Sequence, residues 1–186
     1  MDRRTFLKWA THGLGVVFGA IIGVPAIAYL IDPRNRPAPP GGFRAMIETN
    51  LTGYFLVARE VTPRMLAAGG GRIVNISVSH STMHRAGFVP YGPSRAGSEA
   101  LSRIMAADLR DAGVTVNLLL SGRATATGML PDDVPAGREL LEPAVMGPPI
   151  VWLASAEAAG VHDERIVAAE FERWLRDWNR RRRGEG

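Results

Sequence analysis

The sequence predicts an α/β protein: a partial, doubly wound parallel sheet of about three strands with flanking helices, preceded by one apolar N-terminal helix. Three observations carry this prediction. Two runs, Arg72 to Val78 and Val114 to Leu120, are apolar without strict alternation, as in strands covered on both faces. Segments of helical periodicity with glycine stops alternate with them, the order a parallel sheet requires. Nineteen residues from Gly13 to Ile31 carry no charge, about the ~20 needed to cross a hydrocarbon core.

The elements follow in order. A helix is predicted from Phe43 to about Ala68, stopped by Gly69-Gly70-Gly71, with Pro63 bending or breaking it. The first strand, Arg72 to Val78, runs into a loop ending at Pro90. The next helix spans Tyr91 to Ala112, with Leu101, Ile104, Met105 and Leu109 on one face and Gly113 as its stop. After the strand Val114 to Leu120, a loop rich in Pro, Gly and Asp extends from Ser121 to Pro149. A helix over Ile150 to Ala159, a short strand over Arg165 to Ala169 and a last helix over Phe171 to Arg180 complete the body. Three strands make a small sheet with an exposed edge.

Composition narrows the function classes. A chain of 186 residues with 46% hydrophobic content suits one folded domain plus an appendage. It has no cysteine, which excludes disulfides, zinc thiolate sites and cysteine-ligated iron–sulfur clusters. No metal site is predicted. Net charge is +4, and Lys8 is the only lysine. Arg180 to Arg183 form a basic tail that would attract phosphates or acidic lipid heads, or simply a solvated terminus. Aromatic interleaving and a basic groove are absent from the pattern, so no nucleic-acid partner is expected.

The first forty residues read as a separate object. Arg3-Arg4 precede Phe6-Leu7-Lys8, the apolar run follows, and Pro37 to Gly42 form a linker. Gly15, Gly19 and Gly23 repeat every four residues, which clears a stripe for close approach of another membrane helix. Gly13-x-Gly15 is not a dinucleotide loop, because no strand precedes it. The pattern resembles a twin-arginine export signal. From Met1 to about Pro39 it resembles the uncleaved signal-anchor of bacterial Rieske iron–sulfur subunits, although the cluster chemistry is excluded. Ala26-Ile27-Ala28 fits a signal-peptidase site but lies inside the apolar run, so a retained anchor is expected. The body is expected on the exported side of an inner membrane, with the cytoplasmic side open as an alternative.

Tyr91 and Arg95 hold the informative chemistry. At a spacing of four, both side chains share one helical face. A free phenol ionises near ~10, and a nearby cation favours the phenolate. Such a pair can move a proton.

This arrangement resembles the Tyr-x-x-x-Lys signature of the short-chain dehydrogenase/reductase family, with arginine in the lysine position. Further landmarks arrive in the family's order. Asn50-Leu51-Thr52-Gly53 resembles the helix bearing its catalytic asparagine. Gly71 to Ser77 resembles its fifth strand, and Ser121-Gly122 with Thr125 and Thr127 resembles its nicotinamide-side loop. The resemblance implies a partial Rossmann-like fold over residues 43–170, between a 1–36 signal-anchor with a 37–42 linker and a 171–186 C-terminal helix and tail. It implies NAD or NADP as cofactor, an alcohol or carbonyl substrate, and Tyr91 as acid/base. Arg95 would be its charge partner, Asn50 a water or relay holder, and Ser79 the orienting serine. Tyr91, Arg95, Ser121, Gly122, Thr125 and Thr127 would face the cofactor.

Departures from the pattern bear on activity. The family's serine position, thirteen residues before the tyrosine, is Val78, flanked by Ser77 and Ser79. Serine replaces the family's proline at 121, which relaxes a rigid turn. His80 and His84 are either substrate contacts or ordinary surface residues. The chain has no Thr-Gly-x-x-x-Gly-x-Gly loop and no Asn-Asn-Ala-Gly run, which in this family serve the cofactor. The expectation is an oxidoreductase by descent, impaired or inactive for want of the first half. The alternatives are a non-catalytic membrane-anchored interaction module, possible as a homo-oligomer through the helices starting near Phe43 and Tyr91, or a product of gene rearrangement.

Overall fold

Beyond Gly41, helices and strands alternate as the apolar runs require. The computed structural model describes Asp2, residues 42–128, Leu130 and residues 139–185. The apolar run 13–31, with the signal and anchor read there, lies outside the described residues. Among those described, no helix is long and apolar enough to cross a membrane.

The first helical stretch is three pieces: α1 (Gly42–Ile47), a π-helical turn (Glu48–Thr52) and α2 (Gly53–Ala67). Pro63 lies inside α2 without ending it. β1 (Gly71–Ile76) follows, then a four-residue helix α3 (His80–Met83), where a loop was expected. α4 (Tyr91–Asp108) leads to β2 (Val114–Leu120). The loop after β2 carries a bridge between Thr125 and Leu141. α5 (Gly147–Ala154), β3 (Arg165–Val167) and α6 (Phe171–Arg182) complete the order. α5 starts three residues earlier than the apolar pattern indicates. Its opening turn holds Pro148-Pro149, which lack only N–H groups that a first turn leaves free anyway.

The sheet has the order β1-β2-β3, all parallel. Gly71 pairs with Val114 through to Ile76 with Leu119, and Leu118 to Leu120 pair with Arg165 to Val167. β2 is therefore the central strand, and six of its seven residues are buried. Its two faces feed two cores. Val114 and Val116 pack with Ala106 and Leu109 of α4. Leu119 packs with Leu153, Val161, Ile166 and Phe171.

The predicted apolar face of α4 needs correction. Ile104 is 60% exposed, and the fully buried stripe is Ser94, Ser98, Ser102 and Ala106, with Leu109 just past the helix end. Each serine hydroxyl bonds to a carbonyl of its own helix, of Tyr91, Arg95 and Ser98 in turn. A buried serine whose hydroxyl is satisfied this way packs as a small residue. Close approach also sets Gly92 and Gly97. A Cβ on Gly92 would sit 2.0 Å from the Met83 carbonyl oxygen, and one on Gly97 would sit 2.9 Å from Leu51. At Gly92 only glycine lets α4 lie this close to α3, whereas at Gly97 the neighbour is the movable end of the Leu51 side chain.

Candidate functional site

The site residues gather at the C-terminal end of β1 and the first turns of α4. β1 delivers Ser77 and the chain leading to Ser79, while α4 begins on Tyr91. The π-helical turn brings Asn50 against them. Its amide donates to Ser94 Oγ at 3.1 Å and to the Met46 sulfur at 3.0 Å. Ser94 in turn donates to the Tyr91 carbonyl at 2.7 Å. Asn50 thus reaches the tyrosine's backbone through one serine, and it braces the head of α4.

Tyr91 is half-buried and stacks edge-on with Phe88, ring centres 6.1 Å apart. Arg95 Cζ lies 5.3 Å from the centre of the Tyr91 ring. The guanidinium is therefore placed against the ring face. Its hydrogen bonds go elsewhere: Nη1 donates to Tyr54 Oη and to the Ile76 carbonyl, each at 3.1 Å. The planar guanidinium suits this double duty of stacking and donating better than a compact ammonium.

Ser79 caps α3. Its Oγ accepts from the Thr82 amide at 3.2 Å and lies 2.9 Å and 2.8 Å from the Ser81 and Thr82 hydroxyls. That is ordinary N-cap duty. Ser77 is buried and donates to Glu99. His80 and His84 are exposed and stack on each other at 6.5 Å.

On the loop after β2, Ser121 Oγ donates to the Arg123 carbonyl at 2.8 Å, and Thr125 Oγ1 donates to the same carbonyl at 3.3 Å. Gly122 has a φ of 101°. A Cβ there would lie 2.6 Å from Val167 Cγ1, so the backbone conformation and the contact with β3 both require glycine. Thr127 is exposed on the same loop.

Sequence reasoning missed a charged cluster beneath Ser79. Glu99 Oε1 accepts from Arg165 Nε at 3.1 Å as well as from Ser77, and His80 Nε2 lies 3.7 Å from Glu99 Oε2. Arg165 also donates to the Val78 carbonyl at 2.8 Å. The two side chains are only 12% and 18% exposed. Together they fix the backbone at the position where the family carries its serine. The one signal available was a glutamate on the sheet-facing side of an otherwise small-residue helix.

Among the described residues, those of the candidate site suit the nicotinamide end of a dinucleotide. Tyr91, Ser121, Gly122, Thr125 and Thr127 lie at or beyond the C-terminal ends of parallel strands, where ligands of such sheets bind. Among the described residues, no strand runs through a glycine-rich turn into a helix N-terminus, the arrangement that holds a diphosphate. Arg95 has also committed one nitrogen to the protein itself.

A parallel sheet flanked by helices, with a tyrosine and a cation one turn apart near the C-terminal end of β1, places the described residues in the dinucleotide-binding α/β class. Residues 34–136, more than half of the chain, match the short chain dehydrogenase family, and the chain belongs to that family. It is 36% identical over 126 residues to nodulation protein G of Azospirillum brasilense, covering 62% of this chain and 50% of that protein. It is 32% identical over 148 residues to acetoacetyl-CoA reductase of Rhizobium meliloti, covering 74% and 61%. The crystal structure of a gluconate 5-dehydrogenase from Burkholderia cenocepacia, in complex with NADP and tartrate, superposes with a TM-score of 0.61. Identity is 29%, over 69% of this chain and 55% of that one. The chain spans about half the length of the first curated relatives it matches.

Proposed function

We propose that this chain is an NAD(P)-dependent alcohol or carbonyl oxidoreductase by descent, with its hydride-transfer chemistry impaired or lost. Ancestry rests on the family match and on the ordered landmarks from Asn50 through Tyr91 to Thr127. Impairment rests above all on Arg95. The motif's cation stands against the ring of Tyr91 and gives its hydrogen bonds to Tyr54 and Ile76. In this reading Tyr91 remains the proton-holding group, Asn50 braces it, and Ser79 stands in for the family's serine. The half of the relatives' length that these residues do not match would hold the adenosine and diphosphate. The body is anchored through residues 1–36 and lies on the exported side of an inner membrane.

A titration of the purified full chain in detergent with NADH and NADPH, followed by nucleotide fluorescence, tests this. Absence of saturation up to about 1 mM, the upper end of ordinary KM values, is the expected result. Micromolar saturation accompanied by reduction of a carbonyl substrate overturns it. One observation favours a second reading, a non-catalytic interaction module. Phe55, Leu56 and Val57 of α2 are 47%, 42% and 63% exposed, an apolar patch of the kind that marks contact surfaces.

A further inference from the structure

The stretch from Ser77 to Ser98, which leads from β1 through α3 into the tyrosine helix, contains no aspartate or glutamate. It does contain His80, His84, Arg85 and Arg95. The first carboxylate after it, on Glu99, already accepts from Ser77 and Arg165 and has His80 beside it. The fixed charges along this stretch are therefore all positive, and an anion that approaches Tyr91 along it meets attraction without a competing carboxylate.

Arg85 is the cation that the site's internal contacts leave free. Arg95 is spent on Tyr54 and the Ile76 carbonyl. Arg103, Arg123 and Arg165 each face a carboxylate, whereas Arg85 is exposed and its recorded contact is with a ring. Its position is nonetheless fixed. Residues 85–88 form a turn closed by Phe88 N, which donates to the Arg85 carbonyl at 3.1 Å. Gly87, third in the turn, has a φ of 80°, as a type II turn requires there. The turn brings its first and fourth side chains together, so that Arg85 Cζ lies 4.8 Å from the centre of the Phe88 ring. Phe88 in turn meets the Tyr91 ring edge-on at 6.1 Å. Guanidinium, phenyl and phenol stand in series.

Contact with a ring leaves the planar guanidinium able to take a carboxylate or phosphate through two N–H groups. We propose that Arg85 selects the ligand of the Tyr91 site. That ligand is a small hydroxy or oxo acid: its alcohol or carbonyl oxygen meets the Tyr91 hydroxyl, and its carboxylate or phosphate meets Arg85. Phe88 supplies the apolar surface between them. The inference rests on the reading of Tyr91 as the substrate-facing group and not on hydride transfer, so it holds for an impaired enzyme. The turn orders the cation before any ligand arrives, which lowers the cost of binding.

Ligand-observed NMR titration of the purified full chain with 4-oxopentanoate and its uncharged methyl ester tests this. Both probes carry the same ketone, and only the first carries an anion. The parent chain is expected to bind the acid about tenfold tighter than the ester, the scale of one charge-assisted pair. That preference should fade at about 1 M salt, where screening is nearly complete. Arg85→Gln changes an exposed side chain and leaves the turn intact, and it is expected to bind both probes equally. Arg176→Gln removes an exposed charge from α6 and is expected to keep the preference; its loss there would reveal a general charge effect and overturn the inference. Tyr91→Phe is expected to weaken both probes alike. Unchanged binding of both in that variant would place the ligand away from Tyr91 and overturn it, as would equal binding, or no binding, of acid and ester by the parent chain. Nucleotide titration is read separately. Micromolar saturation there overturns the impaired-oxidoreductase reading and leaves the Arg85→Gln result to decide this one.

Discussion

The two sides of this small sheet are built by different means. On the β2–β3 side, Leu119, Leu153, Val161, Ile166 and Phe171 form a closed apolar core. Trp152, Phe171, Trp174 and Trp178 extend it as successive ring contacts of 5.7 to 6.2 Å. On the β1 side, no residue of α1, the π-helical turn or α2 is buried, and β1 itself has none fully covered. Hydrogen bonds do much of the work there: Asn50 on Ser94, Tyr54 and Arg95 on Ile76. The residues of the candidate site belong mainly to this second, thinly packed side. The β2–β3 side is held by a large buried core, while the side that carries the candidate site joins a smaller apolar cluster, with Met65 and Ile73 against Ala106 and Val116, to polar contacts between helices and β1.

The largest expected effect probes that contrast directly. Leu119→Ala removes a side chain with no exposure and is expected to cost about 2–5 kcal/mol in urea unfolding. Phe55→Ala, on a side chain 47% exposed, is expected to cost less than about 1 kcal/mol. Equal losses would break the comparison. Gly92→Ala comes next. Its Cβ must displace the Met83 carbonyl, and overpacking of this kind costs about 1–3 kcal/mol. Because Met83 ends α3, the variant is expected to disturb exchange around Ser79 before it touches β3.

Glu99→Gln sharpens the comparison from the polar side. The change keeps the shape and removes the charge facing Arg165. A charge-assisted bond is worth about 1.5–3 kcal/mol when fully sheltered, and the partial exposure of this pair places the expected loss at the lower end. The loss should appear as faster exchange at Val78 and Ser79, the backbone that Arg165 holds.

What the sequence could show follows from range. β2 was legible because burial on both faces leaves an unbroken apolar run, and the start of α4 because Tyr91 opens it after a proline, although the helix ends at Asp108, short of the predicted stop at Gly113. Its buried face was not legible. Hydropathy ranks Ser94, Ser98 and Ser102 as surface residues, and only their bonds to carbonyls of their own helix make them core. The start of α5 is hidden because Pro148-Pro149 read as a loop in sequence, whereas in the structure they form the helix's opening turn. Tyr91 and Arg95 were found as neighbours on one helix, since a spacing of four is local. The hydrogen-bond partners of Arg95 were not. Tyr54 lies 41 positions away, and Glu99 and Arg165 are separated by 66. No local pattern records such contacts, and the first of them decides what the motif's cation does.

The smallest expected effect lies on α6. The Asp177 carboxyl is held below its usual value, first by the hydrogen bond from Arg180 against some opposing desolvation, and then by the charges of Arg180, Arg173 and Arg176. A carboxyl whose folded value is depressed contributes stability above its unfolded value and loses it as pH falls through the folded one. Asp177→Asn should therefore lower the melting temperature slightly at neutral pH, with the difference vanishing on acidification below the carboxylate range. The group is exposed and screened, so this shift should be the least of the series. A large one would mean that α6 is held by its arginines. The packing argues otherwise: Phe171 is buried in the core and Trp174 and Trp178 lie against it, so the aromatic face should fix the helix and leave the charged face nearly free to vary.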